Sequence, residues 1–134
     1  MPERFALVDP LGLLGVERSG GITLRDLGGA LGAQGLAACV WQLPPGRELP
    51  DHRHHAQEVL YALLSGGPQE ILLEGEVLLV RDGEWLRLAG ETARRIQNRS
   101  DREAVWLAIE VPRDDGPRGA AATGPAPARG PGAG

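Results

Sequence analysis

A chain of 134 residues with a net charge of −4 has room for one domain of ordinary size. Its fourteen basic residues are all arginine and lie scattered, with Arg94-Arg95 the only adjacent pair, so no clustered basic face for nucleic acid is expected. The single cysteine, Cys39, excludes an intramolecular disulfide, and no apolar run reaches membrane-spanning length.

The opening residues Met1-Pro-Glu-Arg-Phe lack a charged-then-apolar leader pattern, so a soluble, cytoplasmic protein with no membrane partner is expected. Residues 1–35 read as a Gly-rich arm with one strand, Ile22 to Leu27. Leu36 to Leu43 is predicted as a second strand, closed by Pro44-Pro45-Gly46, with Cys39 as a small buried hydrophobe within it. Glu58 to Leu64 forms a compact apolar run ended by the turn signal Ser65-Gly66-Gly67-Pro68. Shorter strands follow at Glu70 to Leu73 and Glu76 to Val80, with Glu74-Gly75 as the turn between them. Asp82-Gly83 turns the chain into Glu84 to Leu88, and Ala93 to Gln97 resumes after Ala89-Gly90. Ala104 to Val111 is the last strong strand, stopped by Pro112. Many short strands at this spacing, with no helical run of ten residues, predict an all-β sandwich or barrel over residues 1–112. Residues 113–134 contain no Val, Ile, Leu or aromatic residue and are predicted to be a disordered tail.

Chemistry concentrates in residues 46–58, which hold all three histidines. His52, His54 and Glu58 share even parity, so in an unbroken extended chain they would face one way, while His55 would face the other. Two imidazoles and a carboxylate form a familiar open ligand set for a divalent metal, and burying them without a cation would be costly. A hydrated loop after Pro50 is the alternative from these residues alone. Trp41, Tyr61, Trp85 and Trp106 sit in strand-like runs and read as core, with Tyr61 of opposite parity to Glu58.

The run Gly46-(five residues)-His52-X-His54-(three residues)-Glu58 resembles the first motif of the cupin superfamily. That motif closes on a glycine after six intervening residues from the glutamate; here Ser65 stands at that place and Gly66 one later. Gly83-Glu-Trp-Leu-Arg-Leu-Ala-Gly90 is similar to the start of the second motif, with Leu88 where proline is usual. The second motif's histidine falls on Ala93, or on Arg94 if one residue is inserted, and Asn98 then matches its asparagine. The fourth metal ligand of the family is therefore missing.

This resemblance, over roughly residues 37–111, implies a double-stranded β-helix (jelly-roll) barrel. It implies a divalent metal (Fe, Mn, Ni, Cu or Zn) held by His52, His54 and Glu58. Gln97 is a candidate for an added oxygen ligand. Arg94 and Arg95 are read as alternating faces, one solvated and the other at the barrel rim; an inward Arg94 would instead anchor an anionic ligand. A metal-dependent enzyme of oxygenase, isomerase or lyase type is expected. The alternative is a non-catalytic ligand-binding or sensor module with a degenerate metal site. Small cupins commonly pair, so a homodimer through the Ile22 to Leu27 strand is a further expectation.

Overall fold

Gly and Pro punctuation divides the chain into short strands, and where apolar residues line one face of a sheet, a second sheet can cover it. The computed structural model describes residues 4–52 and 56–112, with the backbone alone at a few positions, His52 among them. His54, His55 and the expected tail at 113–134 lie outside the described residues.

The strands are β1 (Val16–Glu17), β2 (Thr23–Asp26), β3 (Ala37–Leu43), β4 (Glu48–His52) and β5 (Ala56–Ser65), then β6 (Gln69–Leu73), β7 (Glu76–Val80), β8 (Trp85–Ala89), β9 (Arg94–Gln97) and β10 (Ala104–Pro112). The only α-helix among the described residues, α1 (Leu27–Leu31), is a single turn. Asp26 starts it by accepting from the Gly29 N–H at 2.8 Å, and Gly32 ends it in the left-handed region. No helix among the described residues is long and apolar enough to cross a membrane.

One sheet has six strands in the order β1-β2-β3-β10-β5-β8, and the other has four in the order β4-β9-β6-β7. Every pairing is antiparallel. Leu43, Val59, Leu63, Leu88 and Trp106 from the larger sheet form one core cluster with Leu49, Ile71, Val80 and Ile96 from the smaller. Interleaving two apolar faces in this way makes an all-β barrel, as the strand pattern predicts, of the jelly-roll type that the motif resemblance implies.

Two bulges in β5 set which of its residues face inward. Leu63 pairs with Trp106 and Ser65 with Val105, leaving Leu64 as an extra residue. Glu58 pairs with Val111 and Ala56 with Pro112, so Gln57 is extra as well. Between them the alternation is regular: Val59, Tyr61 and Leu63 are buried in the core while Glu58 is exposed. A third irregularity lies in β4, where Leu49 pairs with Ile96 and the next partners are His52 and Arg94.

Candidate functional site: a buried guanidinium inside the barrel

The short turn from β8 into β9 makes Arg94 the first strand residue after Gly90-Glu-Thr-Ala93. From there alternation turns Arg94, Ile96 and Asn98 to one face, and each is only 1 % exposed. Arg94 is therefore an interior residue, neither solvated nor at the rim as the sequence reading of the Arg94-Arg95 pair favours. A buried cation needs acceptors, and the turn supplies them. Nε donates to the Thr92 carbonyl at 2.9 Å, and Nη2 donates to Ala89 at 3.2 Å and Gly90 at 3.0 Å. Nη1 is buried with no hydrogen-bond partner among the described residues.

Arg94 lies over Tyr61, its guanidinium carbon 6.0 Å from the ring centroid. Burial raises the Tyr61 hydroxyl above its ordinary pKa, and the neighbouring guanidinium works against that rise. Trp106 meets the same ring edge-on, with centroids 6.3 Å apart and planes at 82°. Trp106 is fully buried, and its Nε1 likewise has no hydrogen-bond partner among the described residues. The β10 alternation that buries Ala104, Trp106 and Ala108 continues to Glu110, whose register partners are Ala37 and Val59. Its negative charge acts on both Tyr61 and Cys39. Burial and then Glu110 push the Cys39 thiol up to about 11, with a hydrogen bond to Trp41 opposing them.

Asn98 anchors the far end of the same strand face. Its Nδ2 donates to the Leu43 carbonyl at 2.9 Å and to the Arg102 carbonyl at 2.7 Å, and its Oδ1 accepts from the Ser100 N–H at 3.0 Å. Arg94 and Asn98 thus share one face, as the inserted-residue reading of the second motif requires.

His52 is the register partner of Arg94. His54 and His55 lie outside the described residues. Glu58 faces away from the core, and its half-exposed carboxylate meets Arg87 Nη1 at 3.1 Å. Gln97 alternates away from Arg94 and Ile96 and donates to Glu48 at 3.2 Å. Among the described residues, no three His, Cys, Asp or Glu side chains gather closely enough to hold a metal ion. The described residues do not fit the family's four-ligand centre: a fixed positive charge stands at one ligand position, where it would repel a cation.

From sequence, Tyr61 and Trp106 read as core with pocket lining as the alternative, while Glu110, which acts on Tyr61, was missed. The alternation Ala104, Trp106, Ala108, Glu110 is the signal that could have found the last.

The family model described as "Cupin domain" matches residues 39–110. A cupin protein from Bacteroides fragilis is 27 % identical, with a TM-score of 0.66 over 82 % of this chain and 86 % of that one. A predicted oxalate decarboxylase from Thermotoga maritima is 17 % identical, with a TM-score of 0.70 over 79 % of this chain and 98 % of that one. The Cupin_2 domain of an XRE family transcriptional regulator from Enterobacter cloacae is 18 % identical, with a TM-score of 0.58 over 67 % of this chain and 95 % of that one. No curated protein matches the chain.

Proposed function

The chain belongs to the cupin family, and from that premise we propose that it is a non-catalytic module binding a small molecule inside its barrel. The carrying observation is Arg94, a buried guanidinium at the strand position where the family's second motif has a metal-binding histidine. The similar structures include both a predicted decarboxylase and a regulator's domain, so the fold does not choose between enzyme and binding module.

The second reading is a metal-dependent enzyme of oxygenase, isomerase or lyase type, with the divalent ion on His52, His54 and Glu58. It is favoured by the His-X-His spacing and by the pairing of His52 with an interior position. The outward carboxylate of Glu58 and the charge on Arg94 weigh against it.

A homodimer is also proposed, as a second copy could cover the apolar surface that this chain leaves in water. Phe5, Leu7 and Leu14 of the arm are 82–96 % exposed, and Val77 and Leu79 stand exposed on the edge strand β7. Thr23–Asp26 pairs with β3 of its own chain, so the arm before β1 is the better candidate for exchange.

The deciding experiment is elemental analysis of untagged protein beside a His52→Ala/His54→Ala variant, with mass spectrometry of small molecules released on denaturation. The proposal expects substoichiometric metal in both and an organic molecule released from the folded protein. Near-stoichiometric Fe, Mn, Ni, Cu or Zn, lost in the variant, would replace it with the metal-dependent reading.

A further inference from the structure

A buried guanidinium with unused donors is an unfinished site. Three of Arg94's hydrogen bonds go to backbone carbonyls of the β8–β9 turn, which fix the side chain without neutralising its charge. Nη1 remains, buried and without a hydrogen-bond partner among the described residues, on a side chain 1 % exposed. Leaving such a donor unmet costs free energy, so the interior is built for something that accepts. A second orphaned donor, Trp106 Nε1, belongs to the indole that packs on the same Tyr61 ring.

Charge selects the acceptor. Water can accept hydrogen bonds but cannot balance the cation, whereas an anion does both. Glu110 pairs with Val59, on the same strand face as Tyr61, and its charge opposes that of Arg94 at the Tyr61 hydroxyl, so a multiply charged anion is disfavoured there. The Tyr61 hydroxyl and the guanidinium interact, and beyond that hydroxyl the described core cluster offers aromatic and aliphatic surface from Tyr61, Trp106, Val59 and Leu88. That combination suits one carboxylate on an apolar body.

Resting on the reading of a ligand-binding barrel, we propose that Arg94 anchors the carboxylate of a small apolar monocarboxylic acid, with Trp106 Nε1 as an additional donor. The guanidinium would then do in this chain what a bound cation does elsewhere: it supplies the fixed positive charge that orients the ligand.

Isothermal titration of the full chain tests this with benzoate, its uncharged isostere benzamide, and inorganic phosphate. Benzoate is expected to bind about tenfold or more tightly than benzamide, as the loss of a charge-assisted pair implies, and more tightly than phosphate. Arg94→Met should remove that preference, and Arg94→Lys should keep only part of it, since an ammonium lacks the planar fork. If Arg94→Met fails to fold, Arg94→Lys and Trp106→Phe carry the test, each weakening benzoate more than benzamide. Equal binding of benzoate and benzamide would overturn the anchor while leaving the ligand-binding reading intact. Benzoate binding unchanged in Arg94→Lys and Trp106→Phe, or tighter binding of phosphate, would also overturn it. Binding of neither benzoate nor benzamide, with no organic molecule released on denaturation, would end both readings.

Discussion

Gly66 packs its backbone against the carbonyl oxygen of Glu103, with no room between them for a side chain. Its φ of +89° is one that L side chains rarely adopt. Gly66→Ala therefore meets two penalties, a strained backbone and a clash with backbone atoms that cannot swing away. We expect a loss of roughly 2–4 kcal/mol in urea unfolding, at the upper end of single substitutions. A loss below about 1 kcal/mol would mean that the loop relaxes easily.

The same glycine shows what the sequence could and could not reveal. Gly66 stands one residue later than the family motif expects, and two residues before it Leu64 is the extra residue of a β5 bulge. Strand boundaries were legible because Gly, Pro and Asp-Gly mark the turns chemically. Facing directions were not, since a strict period of two fails wherever a bulge inserts a residue, as at Gln57 and within β4. Strand β4 itself was hidden by Pro50; proline is tolerated there because β4 is an edge strand with an irregular register. The interior place of Arg94 was not legible because the three carbonyls that receive it come from a turn whose shape no local pattern encodes.

Glu58 and Arg87 form a pair that is about half exposed on both sides. Screening by solvent limits such pairs, so Glu58→Gln should cost less than about 1 kcal/mol. Because the carboxylate faces away from the core, the variant should also keep the wild-type affinity for benzoate and the wild-type metal content. A tenfold fall in either, measured by titration or elemental analysis, would return Glu58 to the binding site.

Self-association offers a test of the apolar arm. Leu7 is 96 % exposed and Leu79 is 48 % exposed, so a charge at either place disturbs no core of a single chain. Leu7→Asp and Leu79→Lys are expected to convert a dimer to monomer in sedimentation velocity, with the unfolding midpoint of the monomer unchanged. A wild type that sediments as a monomer at high concentration would rule out the pairing.

Alkaline pH should weaken the fold through Cys39. Burial raises this thiol from 9.0 to about 11, with Glu110 on β10 and Asp26 on β2 adding negative charge and a Trp41 hydrogen bond opposing them. Between these values an unfolded chain has released the thiol proton while the folded chain still holds it. The folded state then binds more protons, and stability falls as pH rises. The contribution is whole below pH 9 and gone above about 11. Tyr61, whose hydroxyl is also raised by burial, adds a fall of the same sign at higher pH. Urea midpoints at intervals across this range should drop less steeply in Cys39→Ala than in the wild type. At pH 8 the folded thiol should react slowly with a disulfide reagent and quickly once urea unfolds the chain, because only the thiolate attacks. Rapid reaction in the folded state would mean that the thiol ionises near its ordinary range, and the alkaline weakening would then have to come from Tyr61 alone.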